Sequence, residues 1–113
     1  MGAYSKGTKA KNEVLRTYDT SVGDSTFQAV GDPLANPARI IKWKNDSNVD
    51  VTISFDGTND HDIILAGDRE VEDLTANKTI EEGLLRGRNT QIYASSAAGT
   101  GNLYLTVIYA ENT

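Results

Sequence analysis

The 113-residue chain contains no cysteine and a single histidine, His61. The first absence excludes disulfides, thiol chemistry and thiolate metal ligation, and the second excludes any site built from several imidazoles. A chain of this length can bury about two thirds of its unfolded surface in one core, so it needs no metal or disulfide to fold. The sequence therefore predicts one self-sufficient domain.

Long apolar runs are also missing, and no stretch approaches the roughly 20 residues of a membrane-spanning helix. Residues 1–11 lack the apolar core of a secretion signal, so we expect a protein made and kept in solution, with no membrane partner. Residues 1–44 carry seven Lys and Arg against four acids, a balance of +3, whereas residues 45–113 carry four against twelve, a balance of −8. The acidic main body disfavours direct nucleic-acid binding, which needs clustered cations.

Alternation of apolar and polar residues is the strongest pattern that is present. It is uninterrupted in residues 49–55 (VDVTISF) and continues over residues 102–110 (NLYLTVIYA). A period of two residues is typical of a β-strand, and residues 102–110 are apolar on both faces, which predicts a central strand. Residues 39–44 are also strand-like, and the turn formers at residues 45–48 predict a β-hairpin with residues 49–55.

Further short strand candidates are separated by turn-forming residues. They are residues 13–18, 26–30, 61–65, 69–74 and 90–94. The charges of residues 69–74 suit a sheet edge, and Thr79 and Glu82 have the spacing of a capping box, which predicts one helical turn. Together these patterns predict an all-β fold, a single-domain antiparallel β-sandwich of about eight strands, jelly-roll or immunoglobulin-like, over residues 13–113. Residues 1–12 are expected to form a flexible basic N-terminal arm.

The loop at residues 56–62 (DGTNDHD) has the highest density of oxygen ligands in the chain. Calcium is bound by about six to eight oxygens, and the candidate ligands here are Asp56, Asn59, Asp60 and Asp62. The same residue types form ordinary tight turns, because Asp bonds back to the backbone and Gly accepts a positive φ. We therefore expect a structural turn and no cofactor, with a calcium site as the alternative.

The sequence offers two candidate catalytic arrangements, and neither is accompanied by the further groups that catalysis would require. His61 beside Asp60 or Asp62 is a candidate general base, but neither a nucleophile elbow nor an oxyanion loop accompanies it. The carboxylates of residues 68–73 include a candidate acid and base pair for sugar hydrolysis, and a solvated strand edge explains them equally. We expect a protein that is not an enzyme, with a small hydrolase as the rival hypothesis.

Basic residues outside the acidic segments are candidates for contacts with a partner. They are Lys6, Lys9 and Lys11 in the arm, and Arg86 and Arg88 after the predicted helical turn. A solvated tail and a solvated loop have the same composition. Trp43 and Tyr93 would stack on sugar rings if they were exposed, so the alternative function is a carbohydrate-binding or receptor-binding module, with or without calcium.

Three short stretches carry a resemblance to a known family. They are residues 44–62 (KNDSNVDVTISFDGTNDHD), 73–78 (DLTANK) and 99–104 (GTGNLY). Over residues 40–110 the chain resembles small structural proteins of tailed-bacteriophage virions. The resemblance implies a β-sandwich that assembles in symmetric copies as a head decoration, a head-to-tail connector or a tail component, and it implies no catalytic residues. The implied partners are other copies of the chain and neighbouring major capsid, portal or tail proteins, and the implied location is the virion after synthesis in the host cytoplasm.

Overall fold

The computed structural model describes residues 8–74 and 86–112. Its strands are β1 (Thr8–Asn12), β2 (Arg16–Asp19), β3 (Gln28–Ala29), β4 (Ala38–Ser47), β5 (Val51–Ser54), β6 (Asp62–Ile64), β7 (Arg69–Asp73), β8 (Tyr93–Ser95) and β9 (Gly101–Asn112), with one 3₁₀ turn at Thr20–Val22. Within these two ranges all strand pairs are antiparallel and form two sheets, which confirms the all-β class, with nine described strands where about eight were expected. In these two ranges, no helix has the length and apolar character to span a membrane.

The first sheet has five strands in the order β1-β9-β4-β7, and β2 also pairs with β9. Strand β4 occupies one side of β9, and β1 and β2 follow each other along its other side. The central position predicted for residues 102–110 is confirmed, because β9 has strand neighbours on both sides, and its residues Leu103, Leu105 and Val107 are fully buried. Among the described residues, β7 is the last strand of the sheet, in agreement with the edge position predicted for residues 69–74.

The second sheet has four strands in the order β3-β8-β5-β6 and packs its inner face on the first. The largest fully buried apolar side chains come from both sheets and from the connections between them; they are Trp43, Leu34, Ile41, Ile53, Ile64, Ile92, Leu103 and Leu105. Burial of each such side chain stabilises the fold by about 1.5–3 kcal/mol. The predicted inward face of residues 49–55 is confirmed at Val51 and Ile53, which are both fully buried.

The predicted hairpin of residues 39–44 with residues 49–55 is wrong. Strand β4 pairs with β7 and β9, whereas β5 belongs to the other sheet and pairs with β6 and β8. The turn formers Asn45 and Ser47 continue β4, opposite Leu103 and Gly101. Between β4 and β5, the chain crosses from the first sheet to the second at residues 48–50. Polar residues between two strands indicate a break in regular pairing, but they do not distinguish a hairpin from a crossing between sheets.

The side chain of Asn45 holds this crossing together. It is fully buried, and its Nδ2 donates hydrogen bonds to the backbone oxygens of Val49 and Ile64 at 2.9 and 2.8 Å. Its Oδ1 accepts a hydrogen bond from Ser47 Oγ at 2.5 Å. Asn45 thereby connects β4 of the first sheet to the end of β6 in the second.

Residues 8–12 of the expected flexible basic arm form strand β1. This strand pairs with β9 from Thr8 opposite Asn112 to Asn12 opposite Ile108. Strand β9 runs beyond the last pair that it makes with β4, at Tyr109, and so presents backbone partners that the weak local propensity of residues 8–12 does not reveal. Residues 1–7, with Lys6, and the predicted helical turn at residues 79–82 lie outside the described residues.

We expect Asn45→Ala to lower the free energy of unfolding by about 2 kcal/mol, because the buried carbonyl oxygen of Ile64 loses its side-chain donor, whereas that of Val49 loses the amide but keeps the bond from Ser47 Oγ. Urea unfolding followed by the fluorescence of the buried Trp43 measures this. Asn48→Ala is the matched control, since its exposed side chain accepts one bond, from the Thr100 N–H, and should cost less than about 1 kcal/mol. Equal costs for the two variants would contradict the role assigned to Asn45.

Candidate functional site

The loop at residues 56–62 is organised by the carboxylate of Asp56. Its Oδ1 accepts the backbone N–H groups of Thr58 and Asn59, both at 2.8 Å, and its Oδ2 accepts the Asn59 side-chain amide at 2.8 Å. The bond from the Asn59 N–H is the largest of the causes that hold the pKa of Asp56 well below its ordinary value. Gly57 has a φ of 78° in the same turn. The predicted structural turn is confirmed.

The four calcium candidates do not form one cluster of contacts. Asp56 and Asn59 bond to each other, whereas Asp62 contacts Glu70 of β7 and its Oδ1 accepts the N–H of Ile63. Asp60 is exposed. Across residues 8–74 and 86–112, no set of three or more His, Asp or Glu side chains is placed to hold a metal ion. The calcium alternative therefore stays a prediction, and the observed bonds of Asp56 are those of a turn.

His61 lies beside a different carboxylate from the two that the sequence suggested. Its Nδ1 accepts the backbone N–H of Phe55 at 3.0 Å, so the proton of the neutral ring lies on Nε2. Nε2 is 3.8 Å from Asp56 Oδ2, and the ring centroid is 5.9 Å from that of Phe55. The expectation of a pair with Asp60 or Asp62 is wrong.

We call the place where strands β6 and β7 meet the β6–β7 rim. Its residues are Phe55, His61, Asp62, Glu70, Glu72 and Arg86. Arg86 makes a two-pronged ion pair with Glu72, at 2.8 and 2.9 Å, and its guanidinium carbon lies 3.8 Å from the centre of the Phe55 ring. Phe55 in turn packs edge-on against Trp43, with centroids 6.3 Å apart. Arg86 therefore connects the two sheets along the rim.

The rim also contains two carboxyl groups in direct contact. A hydrogen bond with Asp62 raises the pKa of Glu70 to about 7, with further contributions from burial and from the charges of Asp62 and Glu72. Two carboxyl groups bond in this way when they share one proton. The sequence shows no signal for this pair, because residues 62 and 70 lie in different sheets and only the fold brings them together.

The predicted partner-binding residues have different surroundings. Lys9 and Lys11 are in β1, opposite Glu111 and Tyr109, and Lys11 is exposed. Arg86 is half-buried in the rim. Arg88 is exposed, and its Nε donates to the backbone oxygen of Ala35 at 3.1 Å.

The two aromatic residues proposed for sugar stacking are covered to different degrees. Trp43 is only 2 % exposed and belongs to the core, so its proposed use as a stacking surface is wrong. Tyr93 is half-buried, and its ring lies against Gly57, within 3.1–3.3 Å of the position that a Cβ would take there.

The five-stranded sheet ends in two strands whose charges are opposite. Strand β1 contains Lys9 and Lys11, and β7 contains Glu70 and Glu72. Each of these strands is paired along one side only within the described residues. A strand edge of this kind presents a row of backbone donors and acceptors to a partner.

No protein-family model matches the chain, and neither a curated protein nor a solved structure matches it. What the chain does must therefore be inferred from its own residues and their geometry.

We expect Glu70→Gln to weaken the pH dependence of stability. Because the pKa of Glu70 is raised in the folded state, its stabilising contribution is complete below the ordinary pKa of glutamate and falls as the pH rises through about 7. The melting temperature of the wild type should therefore decline between about pH 5 and about pH 8 more than that of the variant, whose amide donates to Asp62 at every pH. Asp60→Asn is the control and should behave like the wild type; an unchanged decline in Glu70→Gln would rule out the shared proton.

We expect Asp56→Ala to lower the melting temperature at neutral pH, because the turn loses its acceptor. The pKa of Asp56 is lowered in the folded state, so its contribution is present above the ordinary aspartate pKa and disappears as the pH falls through the lower folded value. The difference between variant and wild type should therefore shrink in acid. Calcium should leave both melting temperatures unchanged; a rise in the wild type alone would support the calcium alternative.

Proposed function

We propose that the chain is a non-enzymatic structural subunit of a tailed bacteriophage, present in symmetric copies at the head surface, the head-to-tail junction or the tail. The observation that carries this proposal is the pair of half-paired edge strands, β1 and β7, at the two ends of one sheet. A sheet edge is a ready site for the addition of a further strand, so two edges allow a subunit to contact a neighbour on each side.

The charges of the two edges support the same proposal. Complementary charges guide association between subunits and disfavour wrong pairings. Here the basic edge and the acidic edge lie on one molecule, which makes another copy of the chain a suitable partner for each. The basic edge strand comes from residues 1–44 and the acidic edge strand from residues 45–113.

Several polar groups that the sequence offered for catalysis, calcium binding or partner contacts are engaged in holding the domain together. Asp56 closes a turn, His61 accepts a backbone N–H, and Arg86 and Glu72 connect the sheets. These bonds favour a building role. The carbohydrate-binding alternative loses the buried Trp43 and keeps only the half-buried Tyr93 of its two aromatic candidates.

Purified tailed-phage particles, grown from a genome that encodes the chain, provide the test of this function. Mass spectrometry of the particle proteins should find peptides of the chain in several copies per particle, and chemical crosslinking should connect it to a capsid, portal or tail protein. Complete particles that lack the chain would contradict the proposal. A comparable non-structural protein from the same genome is the control for contamination by host-cell contents.

A further inference from the structure

Strands β1 and β7 match each other in length and in direction. Each has five residues, Thr8–Asn12 (TKAKN) and Arg69–Asp73 (REVED). Strand β1 is antiparallel to β9, and β9 is antiparallel to β4, so β1 runs in the same direction as β4; β7 runs opposite to β4. If the sheet of one copy continued into the sheet of the next, β1 and β7 would therefore meet as an antiparallel pair.

The charged positions of the two strands also belong to the same face of the sheet. Residues paired directly across a sheet share a face, as do alternate residues along one strand. Position 11 pairs with Tyr109, on the same face of β9 as Val107. Val107 pairs with Ile41 of β4, and Ile41 pairs with Glu72 of β7. Positions 9 and 11 therefore continue the face that carries Glu70 and Glu72.

We propose that copies of the chain join head to tail by pairing β1 of one copy with β7 of the next. The antiparallel register sets Lys11 opposite Glu70, Ala10 opposite Val71 and Lys9 opposite Glu72, with all five residues of each strand paired. This arrangement deepens the proposed function, on which it rests, by naming the surface through which copies of the subunit assemble.

The electrostatic surroundings of β7 favour a cation from a neighbouring copy. Glu70 contacts Asp62 and lies near Glu72, and these groups raise its pKa to about 7. Arg86 already balances Glu72 through the two-pronged ion pair. The excess negative charge therefore lies at Glu70 and Asp62, which is where the register brings Lys11.

The central pair of the register is apolar. Val71 is 58 % exposed in the single chain, and Ala10 is exposed as well. Pairing Ala10 with Val71 would remove apolar surface from water. One Lys–Glu pair precedes this apolar pair along the strands and the other follows it.

The same charges disfavour the pairing of two identical edges, β1 with β1 or β7 with β7. Two copies of β1 side by side would place lysines near lysines, and two copies of β7 would place glutamates near glutamates, which destabilises a cross-strand pair. The two surfaces of the contact are therefore different, and such a contact generates a ring or a filament of copies.

The first experiment uses the absence of native cysteine. In the double variant Ala10→Cys/Val71→Cys, the two positions within one copy are separated by β9 and β4, about 14 Å across the sheet, so a disulfide can form only between copies. Mild oxidation should produce a ladder of crosslinked species on a non-reducing gel. Each single variant should remain uncrosslinked, and a dimer from Val71→Cys alone would overturn the head-to-tail pairing.

Ala10→Cys/Ile63→Cys is the matched control for this experiment. Ile63 is 50 % exposed, similar to Val71, but it lies in β6 of the other sheet. This variant should give no ladder. Equal ladders from the two double variants would mean random collision, and the absence of a ladder from Ala10→Cys/Val71→Cys would overturn the proposal.

A charge exchange tests the register without cysteine. Native mass spectrometry of Lys11→Glu and of Glu70→Lys should show the loss of the multi-copy species that the wild type forms. Mixing the two variants should restore them, because each edge then meets the opposite charge on the other variant. Assembly by either variant alone, or no assembly in the mixture, would overturn the pairing.

The two proposals fail in different ways. A chain that is present in phage particles but gives no ladder and assembles normally as Lys11→Glu would refute the β1–β7 contact and leave the structural function standing. A chain that forms the ladder but is missing from complete particles would refute the virion function while supporting the contact.

Discussion

Strand β9 is the constraint on which the rest of the first sheet depends. It pairs with β4 along one side and with β2 and then β1 along the other, so three strands take their positions from it. Its inward residues Leu103, Leu105 and Val107 are fully buried, which fixes the face that the sheet turns to the core. Because β9 also extends past the end of β4, residues 8–12 find a backbone partner and form one edge of the sheet.

A small number of polar contacts determine how the second sheet is attached. Asn45 spans the crossing between β4 and β5 with buried hydrogen bonds, and Arg86 bonds to Glu72 while it covers the ring of Phe55. An unpaired polar group is costly when buried, so such contacts favour one arrangement of the layers over others with the same apolar pattern. Asp56 and His61, which looked reactive in the sequence, also bond within the domain, although both are exposed.

The two end strands of the first sheet carry opposite charges. A strand from the basic part of the chain and a strand from the acidic part form the two ends of the first sheet. Charged edges protect a single molecule from indiscriminate pairing, and opposite charges on the two edges also define which edge is the correct partner. In the proposed assembly, the residues that discourage indiscriminate pairing are also the ones that select the partner edge.

The sequence by itself determined the all-β class, the inward face of residues 49–55, the central strand at residues 102–110, the edge strand at residues 69–74 and the turn at Asp56. These features depend on alternation and on local bonding, which neighbouring residues reveal. Only the tertiary structure decided that β4 and β5 separate into two sheets, that residues 8–12 form a strand, and which charged groups meet in the β6–β7 rim. The reason is that alternation reports which face of a strand is buried, whereas the choice of neighbouring strand depends on packing between residues far apart in the chain.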